Sequence, residues 1–442
     1  MIMQQWVKPV LLSMMLAAAH HVGFPAGCPT VRGPAPEYRR ALTWPEAARR
    51  VLERHPGLKA AAEEPRAMEG RVVQAGLKPN PELSFEIENV LGTGEVGLGA
   101  SAEATAVYAH RIEGGGKRSA RVRAAEAERD AACREVEARR AEVVAEAAAA
   151  FVDVMHAQER LANGQVLLDL SRRIHETVRI RVEAGKDSPV EETRAAVSLA
   201  SARLEVEKAN GELRAARDRL AGLWGDAEAD FDGVSAPFRL PEAARADVPP
   251  AFEGNPERRK AEAVLAAREA AAAAEASAAR TDLTVSAGVR YLNDGKGVAL
   301  VGGLSIPLNR YDRRQGAIAE AKVRVEQARA ELRSLEARLR STWRRARHAL
   351  DLACLEERNL SGVILPGCHA ALESLQEGYR LGKFDFLAVL DAERTHLDVE
   401  MRIVDAVAAA LKAAVELHRL SSPDGAPDPY RFLNAGEEVT HD

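Results

Sequence analysis

The sequence predicts a mainly α chain that also carries membrane β-strands, built as two tandem copies of one unit. Three observations point there. The chain is similar to itself at an offset of about 200 residues. Two stretches of nearly 70 residues, rich in Ala, Glu and Arg, run almost without Pro. Four segments of about ten residues alternate apolar and polar side chains, the length a tilted strand needs to cross a bilayer. The composition agrees. Of 442 residues only 4% are aromatic and 29% are charged, which suits long helices packed through small side chains better than a thick globular core.

The elements follow in chain order. Residues 1–27 are expected to be a signal peptide, with one Lys and then a mostly apolar run from Val10 to Ala19, too short to span a bilayer. Residues 28–41 form an N-terminal tail. It starts at Cys28, a candidate lipidation site because FPAGC faintly resembles a lipoprotein cleavage site, although Pro25 stands where an aliphatic residue is usual. The first repeat is read as 42–224: helix, strands over 82–90 and 103–112, a long helix over 117–183, a tip at 184–188 and a return helix over 189–224. A linker, 225–254, leads to the second repeat, 255–421, with strands over 282–292 and 298–308, a long helix over 313–380, a tip at 381–385 and a return helix over 386–421. Residues 422–442 form a C-terminal tail.

The duplication rests on the order of element types. HPGLKAAAEEPRAMEGRVVQAGLKPNPELSFEIE (55–88) lies on NPERRKAEAVLAAREAAAAAEASAARTDLTVSAG (255–288) at an offset of 200, and KRSARVRAAEAE (117–128) on RRQGAIAEAKVR (313–324) at 196. In the strands, Leu83, Phe85 and Ile87 alternate with Ser84, Glu86 and Glu88, and Leu283, Val285, Ala287, Val289 and Tyr291 alternate with polar or small residues. NDGKG (293–297) is a hairpin turn signal, and the connection 91–102 is Gly-rich. The 67 residues from 117 to 183 would extend about 100 Å as one helix. Pro366 should kink the partner helix. The second return helix spaces Leu387, Leu390, Leu397, Met401, Val404, Ala408, Leu411 and Val415 at the 3.5-residue period of side-by-side helices, which reads as core packing.

At both tips a helix stops and restarts within a few residues. Gly185 supplies a positive φ, and Ser188-Pro189-Val190-Glu191 reads as a capping box with Pro at the first helical position. Gly382 takes the place of Gly185 at an offset of 197, with Asp385 as N-cap.

Chemistry is sparse. The net charge of −5, with Lys and Arg interleaved with Glu, gives no nucleic-acid patch. GGGKRS (114–119) lacks the Ser/Thr and the earlier Gly of a phosphate loop. Cys133, Cys354 and Cys368 have no CxxC spacing and read as lone buried or half-buried thiols. His396 with Glu400 and Cys368 with His369 are neighbours, yet neither makes a three- or four-ligand metal set. No catalytic group, resident metal or cofactor is expected.

If the four strands lie in lipid, they cannot close alone, since the smallest such barrels have eight strands. Roughly five unpaired backbone groups on each edge, at several kcal/mol apiece, would outweigh the 5–15 kcal/mol of a typical domain. Either the strands are not in a membrane, or several chains pool them. Three chains would make twelve strands.

QAGLKPNPELSFEIEN (74–89), GGKRSARVRAAEAE (115–128), IPLNRYDRRQGAIAEA (306–321) and YRLGKFDFLAVLDAE (379–393) resemble the TolC family of outer-membrane efflux ducts, over residues 42–421. The Pro-Asn-Pro-Glu-Leu and Gly-Gly-Lys-Arg stretches are most similar to its CzcC-type heavy-metal branch. The resemblance implies a homotrimer with a 12-stranded outer-membrane β-barrel, four strands per chain, above a periplasmic α-barrel of long hairpins. It implies a periplasmic adaptor and an inner-membrane, proton-driven RND-type pump as partners, and outer-membrane lipid around the barrel of a Gram-negative bacterium. It also implies that the tips close the tube. Tyr379 would bond to Glu191 on the other hairpin, and Asp391 would form one ring around the constriction. Ala388 occupies the position of a second aspartate ring and Phe384 that of an arginine tying the hairpins, so a weaker closure, or one made by packing, is expected. By residue type alone, Glu191 also reads as a capping residue and Asp391 as an exposed partner of Arg394. Other readings are a duct for organic compounds, a periplasmic adaptor and a coiled coil without a pore. The adaptor would carry its β-domains once, not twice, and the coiled coil has no use for bilayer-length alternating strands.

Overall fold

A computed structural model describes residues 40–90, 101–240, 252–421 and 430–433. The expected signal peptide, Cys28, most of the connection 91–102 and most of the C-terminal tail lie outside the described residues. The chain begins with β1 (Ala41–Thr43), α1 (Trp44–Arg54) and α2 (Pro56–Gly76). Next come β2 (Glu82–Glu88), β3 (Glu103–Ile112), α3 (Lys117–Glu183) and α4 (Pro189–Gly222). After β4 (Gly233–Ser235) the second unit follows: α5 (Pro256–Ala278), β5 (Leu283–Leu292), β6 (Gly297–Ser305), α6 (Gln315–Asn359), α7 (Leu365–Arg380) and α8 (Phe386–Ser421).

α3 is a single helix of 67 residues. Its Asn163-Gly164 pair does not break it, because Leu161 and Leu168 on either side are buried. The partner helix is divided. Between α6 and α7 the backbone makes a π-helical turn, Leu360–Ile364, immediately before Pro366. Pro366 has no N–H to donate and crowds the carbonyl four residues back, and the extra residue of a π turn absorbs that mismatch.

The large aromatic residues gather at the waist. Trp44 of α1 meets Phe151 of α3 edge to face at 5.7 Å and Tyr430 at 5.5 Å. Around them pack Val51, Val143, Leu220, Trp224, Phe231 and Leu411, all buried. Ala145, Ala147, Ala148 and Ala150 line this part of α3, and their small side chains let the other helices approach closely. α8 closes the waist from both sides: Val404, Val407 and Leu411 join this core, while Ala410, Leu417 and Leu420 join a second one with Leu339, Trp343 and Leu350 of α6.

Two segments gain detail here and one expectation, for Cys133, is corrected. The segment read as a linker contributes β4, which pairs in parallel with β1 (Ala41 opposite Gly233) and closes the waist. The segment read as a C-terminal tail places Tyr430 and Leu433 in the main core, at 2% and 0% exposure. Cys133 is exposed rather than buried or half-buried. The polar N-terminus of α1 also carries a true capping box, in which Glu46 accepts from the backbone N–H of Thr43 at 3.2 Å.

Because Phe151 is fully buried against Trp44, Phe151→Ala is expected to lower stability by about 3–5 kcal/mol. Thermal unfolding followed by circular dichroism checks it, with an unchanged midpoint as the contrary result.

Candidate functional site

Two regions can carry function: the sheet at one end of each long helix and the hairpin tips at the other.

The sheet has the order β2-β3-β5-β6, with every pair antiparallel. Its register sorts the alternating residues into rows. Phe85 lies opposite Ala106, which lies opposite Val289, which lies opposite Leu300. The next row on that face is Ile87, Ala104, Tyr291 and Val298, and on the other side comes Leu83, Tyr108, Ala287 and Gly302. One face is therefore apolar across all four strands, and it is uncovered: Phe85 is 75% and Leu300 89% exposed. Exposed apolar surface of this extent marks an interaction with lipid or protein. The opposite face holds a charged network in which Arg290 donates to Glu103 at 2.8 Å and to Thr105 at 3.0 Å, with Glu88 at 3.5 Å. β2 and β6 are edges, each with one side unpaired in a single chain. β6 stops at Ser305 rather than continuing to 308, since Pro307 cannot donate to a ladder.

At the tips the two repeats build the same turn. Gly185 has φ +67° and Gly382 φ +71°, both left-handed. Lys186 N–H donates to the Arg181 carbonyl and Gly185 N–H to that of Val182, and Lys383 and Gly382 repeat the pattern on Gly378 and Tyr379. This is a Schellman turn in each copy. Asp385 caps α8 by accepting from Ala388 N–H at 3.0 Å. Ser188 caps α4 by accepting from Val190 N–H at 3.3 Å. The reciprocal half of the expected capping box is absent: the Glu191 carboxylate turns instead to Arg194, at 2.9 Å.

The Tyr379 hydroxyl does not complete the expected hydrogen bond to Glu191; it donates to Asp187 at 3.2 Å. Asp187 is also held by both arms of Arg181, at 2.8 and 3.1 Å, and the Arg181 guanidinium lies over the Tyr379 ring at 4.5 Å. Arg181 and Asp187 belong to the first hairpin and Tyr379 to the second, so the trio joins them. Beneath it, Val178 and Ala195 pack with Tyr379 and Leu390. The hydrogen bond from Arg181 holds the Asp187 carboxyl below its ordinary range, while burial pushes the Tyr379 phenol up.

Arg181 and Asp187 went unnoticed in the sequence, although their spacing carried a signal. Shifted by the repeat offset of 197 they become Gly378 and Phe384. A Cβ on Gly378 would lie 2.1 Å from the Phe384 ring, so that ring packs directly on the glycine. The same two positions face each other across both turns, once as an ion pair and once as an apolar contact. Asp391 is exposed and lines a groove with Arg394, Leu387 and Arg194. Leu387, expected in the packing stripe, is 49% exposed near the tip. His396 and Glu400 stand 3.6 Å apart, and among the described residues no group of three or more His, Cys, Asp or Glu side chains is placed to hold a metal ion. No described helix is long and apolar enough to cross a membrane.

Residues 47–226 match the family described as outer membrane efflux protein. The chain is 32% identical over 369 residues to the cobalt-zinc-cadmium resistance protein CzcC of Cupriavidus metallidurans, covering 82% of this chain and 86% of that one. In structure it is similar to CusC, a protein that forms a transmembrane channel, with a TM-score of 0.70 at 17% identity over 88% of this chain and 99% of that one. It is similar also to a membrane protein from Pseudomonas aeruginosa, with a TM-score of 0.72 at 19% identity over 94% and 99%.

Arg181→Ala is expected to loosen the tips by about 1–3 kcal/mol and Tyr379→Phe by about 0.5–1.5 kcal/mol, read as faster amide hydrogen exchange around residues 181–190 and 379–390. Asp187's lowered pKa fixes the pH response: its contribution is complete above the ordinary value of 3.8 and is lost only as pH falls through the lowered one. Equal exchange rates in wild type and Arg181→Ala would count against the trio as a link between the hairpins.

Proposed function

The chain belongs to the outer membrane efflux protein family, and from that premise we propose that three copies assemble into the outer-membrane duct of an efflux system for heavy-metal cations. The observation that carries this reading is the four-stranded sheet, apolar on one face and charged on the other, with two open edges and helices of duct length beneath it.

The physics of the sheet supports the assembly. In hydrocarbon, unpaired edge groups cost several kcal/mol each, so β6 of one copy must pair with β2 of the next. Twelve strands close a barrel wider than the side-chain-filled eight-stranded kind and narrower than a sixteen-stranded porin. The rows of Phe85, Val289 and Leu300 then face lipid, and Arg290, Glu103 and Glu88 face the bore. The long helices extend the conduit into the periplasm, and the tips narrow its far end.

The duct supplies no driving force and no chemical step. Passage through it depends on a periplasmic adaptor that opens the tips and an inner-membrane, proton-driven pump that delivers cargo. At the closed end we assign Asp391 to the wall of the constriction, where three copies would present carboxylates to a cation. The trio of Arg181, Asp187 and Tyr379 is assigned as the latch and Glu191 as its acidic neighbour. The identity to CzcC supports divalent Co, Zn or Cd as cargo.

Deleting the gene should raise sensitivity to Co²⁺, Zn²⁺ or Cd²⁺, with rescue by the wild-type chain and none by Leu300→Arg. That substitution sets a charge on the lipid face and costs about 2–4 kcal/mol at the midplane. Rescue is scored by growth, and assembly by heat-modifiable migration of the trimer. Unaltered metal tolerance with new sensitivity to organic compounds would move the cargo to that class, and a water-soluble monomer would end the duct reading.

A further inference from the structure

Glu393 is the one described Asp, Glu, Lys or Arg side chain that the fold buries, at 5% exposure. It lies on α8, one turn from the Leu390 that packs beneath the latch. It borders a groove of about 230 Å³ between the two hairpins, which Ser171 and Ile174 of α3 and Val197 of α4 also line. Its hydrogen bond is a long one, 3.4 Å from the Gln376 amide of α7.

We infer that Glu393 is a proton-operated wedge: neutral, it lets the second hairpin lie closed against the first, and ionised, it favours a state in which α7 and α8 move off α3 and α4 so that water reaches the carboxylate. The inference rests on the duct reading only for its meaning as a gate.

The surroundings leave the charge uncompensated. The facing α3 side chains, Ser171 and Ile174, carry no charge. On α4, Arg194 is held by Glu191. On α7, the Tyr379 hydroxyl is taken by Asp187, Glu373 and Glu377 are exposed, and His369 stands 3.6 Å from Glu373 with its ring 5.9 Å from that of His396. On α8, Asp391 and Arg394 sit on the exposed wall, and His396, one turn on, lies 3.6 Å from Glu400. Among the described residues no cation forms an ion pair with Glu393. A coiled-coil interior position that carries an acid in place of Leu is costly as an ion and tolerable as a neutral acid. Burial accordingly pushes its pKa up from the ordinary 4.5 to about 7, and the Gln376 bond offsets only part of the effect.

The sign follows. With the hairpins parted, the hydrated acid titrates near 4.5; closed, near 7. Below 4.5 both states are neutral and above 7 both are ionised, so closure responds to pH between those values. Across that window each unit of falling pH favours the closed state by about tenfold, on the order of 100-fold in all. Asp187 titrates below the window and acts in the opposite sense, loosening the tips in stronger acid.

The test is amide hydrogen exchange on the full chain in detergent, corrected for intrinsic rates, at pH 5, 6, 7 and 8. In wild type, protection of residues 388–396 should fall between pH 5 and pH 7 and then level off. Glu393→Gln, a stand-in for the neutral acid, should hold the acid level of protection throughout, and His396→Gln should keep the wild-type slope. A flat wild-type profile, an unchanged slope in Glu393→Gln, or loss of the slope in His396→Gln would each overturn the wedge. Should Glu393→Gln fail to fold, the wild-type profile still decides. Planar-bilayer recordings separate the two readings. Absence of pores removes the duct while the exchange result stands, and pores over pH-indifferent hairpins remove only the wedge.

Discussion

Backbone groups without partners on two sheet edges are the constraint from which the rest of the molecule follows. A single chain makes a four-stranded sheet, order β2-β3-β5-β6, with one uncovered apolar face. In water that face is unstable, and in lipid the edges are. The two demands are met together when copies share edges in lipid. The duplication suits this, because each unit supplies only one strand pair on one long hairpin, and the proposed assembly would repeat that unit around a ring.

The same constraint explains where the stabilising core lies. A sheet with one uncovered apolar face and one charged face has little to pack against inside one chain. The aromatic residues are therefore concentrated at the waist, around Trp44, Phe151 and Trp224. There α3, α4 and α8 converge with β1, β4 and the C-terminal residues Tyr430 and Leu433. Away from the waist the helices are held by sparse layers, such as Leu168, Leu199 and Ala202, and finally Val178 with Ala195 near the tips. Few buried side chains per turn mean low local stability, as the proposed opening of that end would require.

How much of this was legible depends on how local the signal is. Period and punctuation are local, so the helix over Lys117–Glu183, the strand Glu103–Ile112 and the turns at Gly185 and Gly382 could be read from neighbouring residues alone. Family membership rested on motif order and could be read too. The parallel pairing of β1 with β4 joins residues almost 200 apart in two three-residue segments, too short to show alternation. The docking of Tyr430 left no periodic trace. The partner of Tyr379 was misassigned for a related reason. Glu191 and Asp187 lie on opposite sides of the Ser188 cap, and only the turn geometry decides which carboxylate reaches across.

The two tips show what duplication permits once the backbone is fixed. Both copies keep the Schellman turn, and with it the close approach of two positions six residues apart. What fills those positions has diverged into the Arg181–Asp187 ion pair in one and the Phe384 ring on Gly378 in the other. An ion pair that is partly exposed weakens with salt and can be competed for by another charged surface. An apolar contact does neither, but it separates at little cost when an apolar partner replaces it. A ring of three copies would then alternate polar and apolar closures around its end. A partner able to open it must offer both charge and apolar surface, so that neither salt nor a lone hydrophobic contact suffices to release the tips.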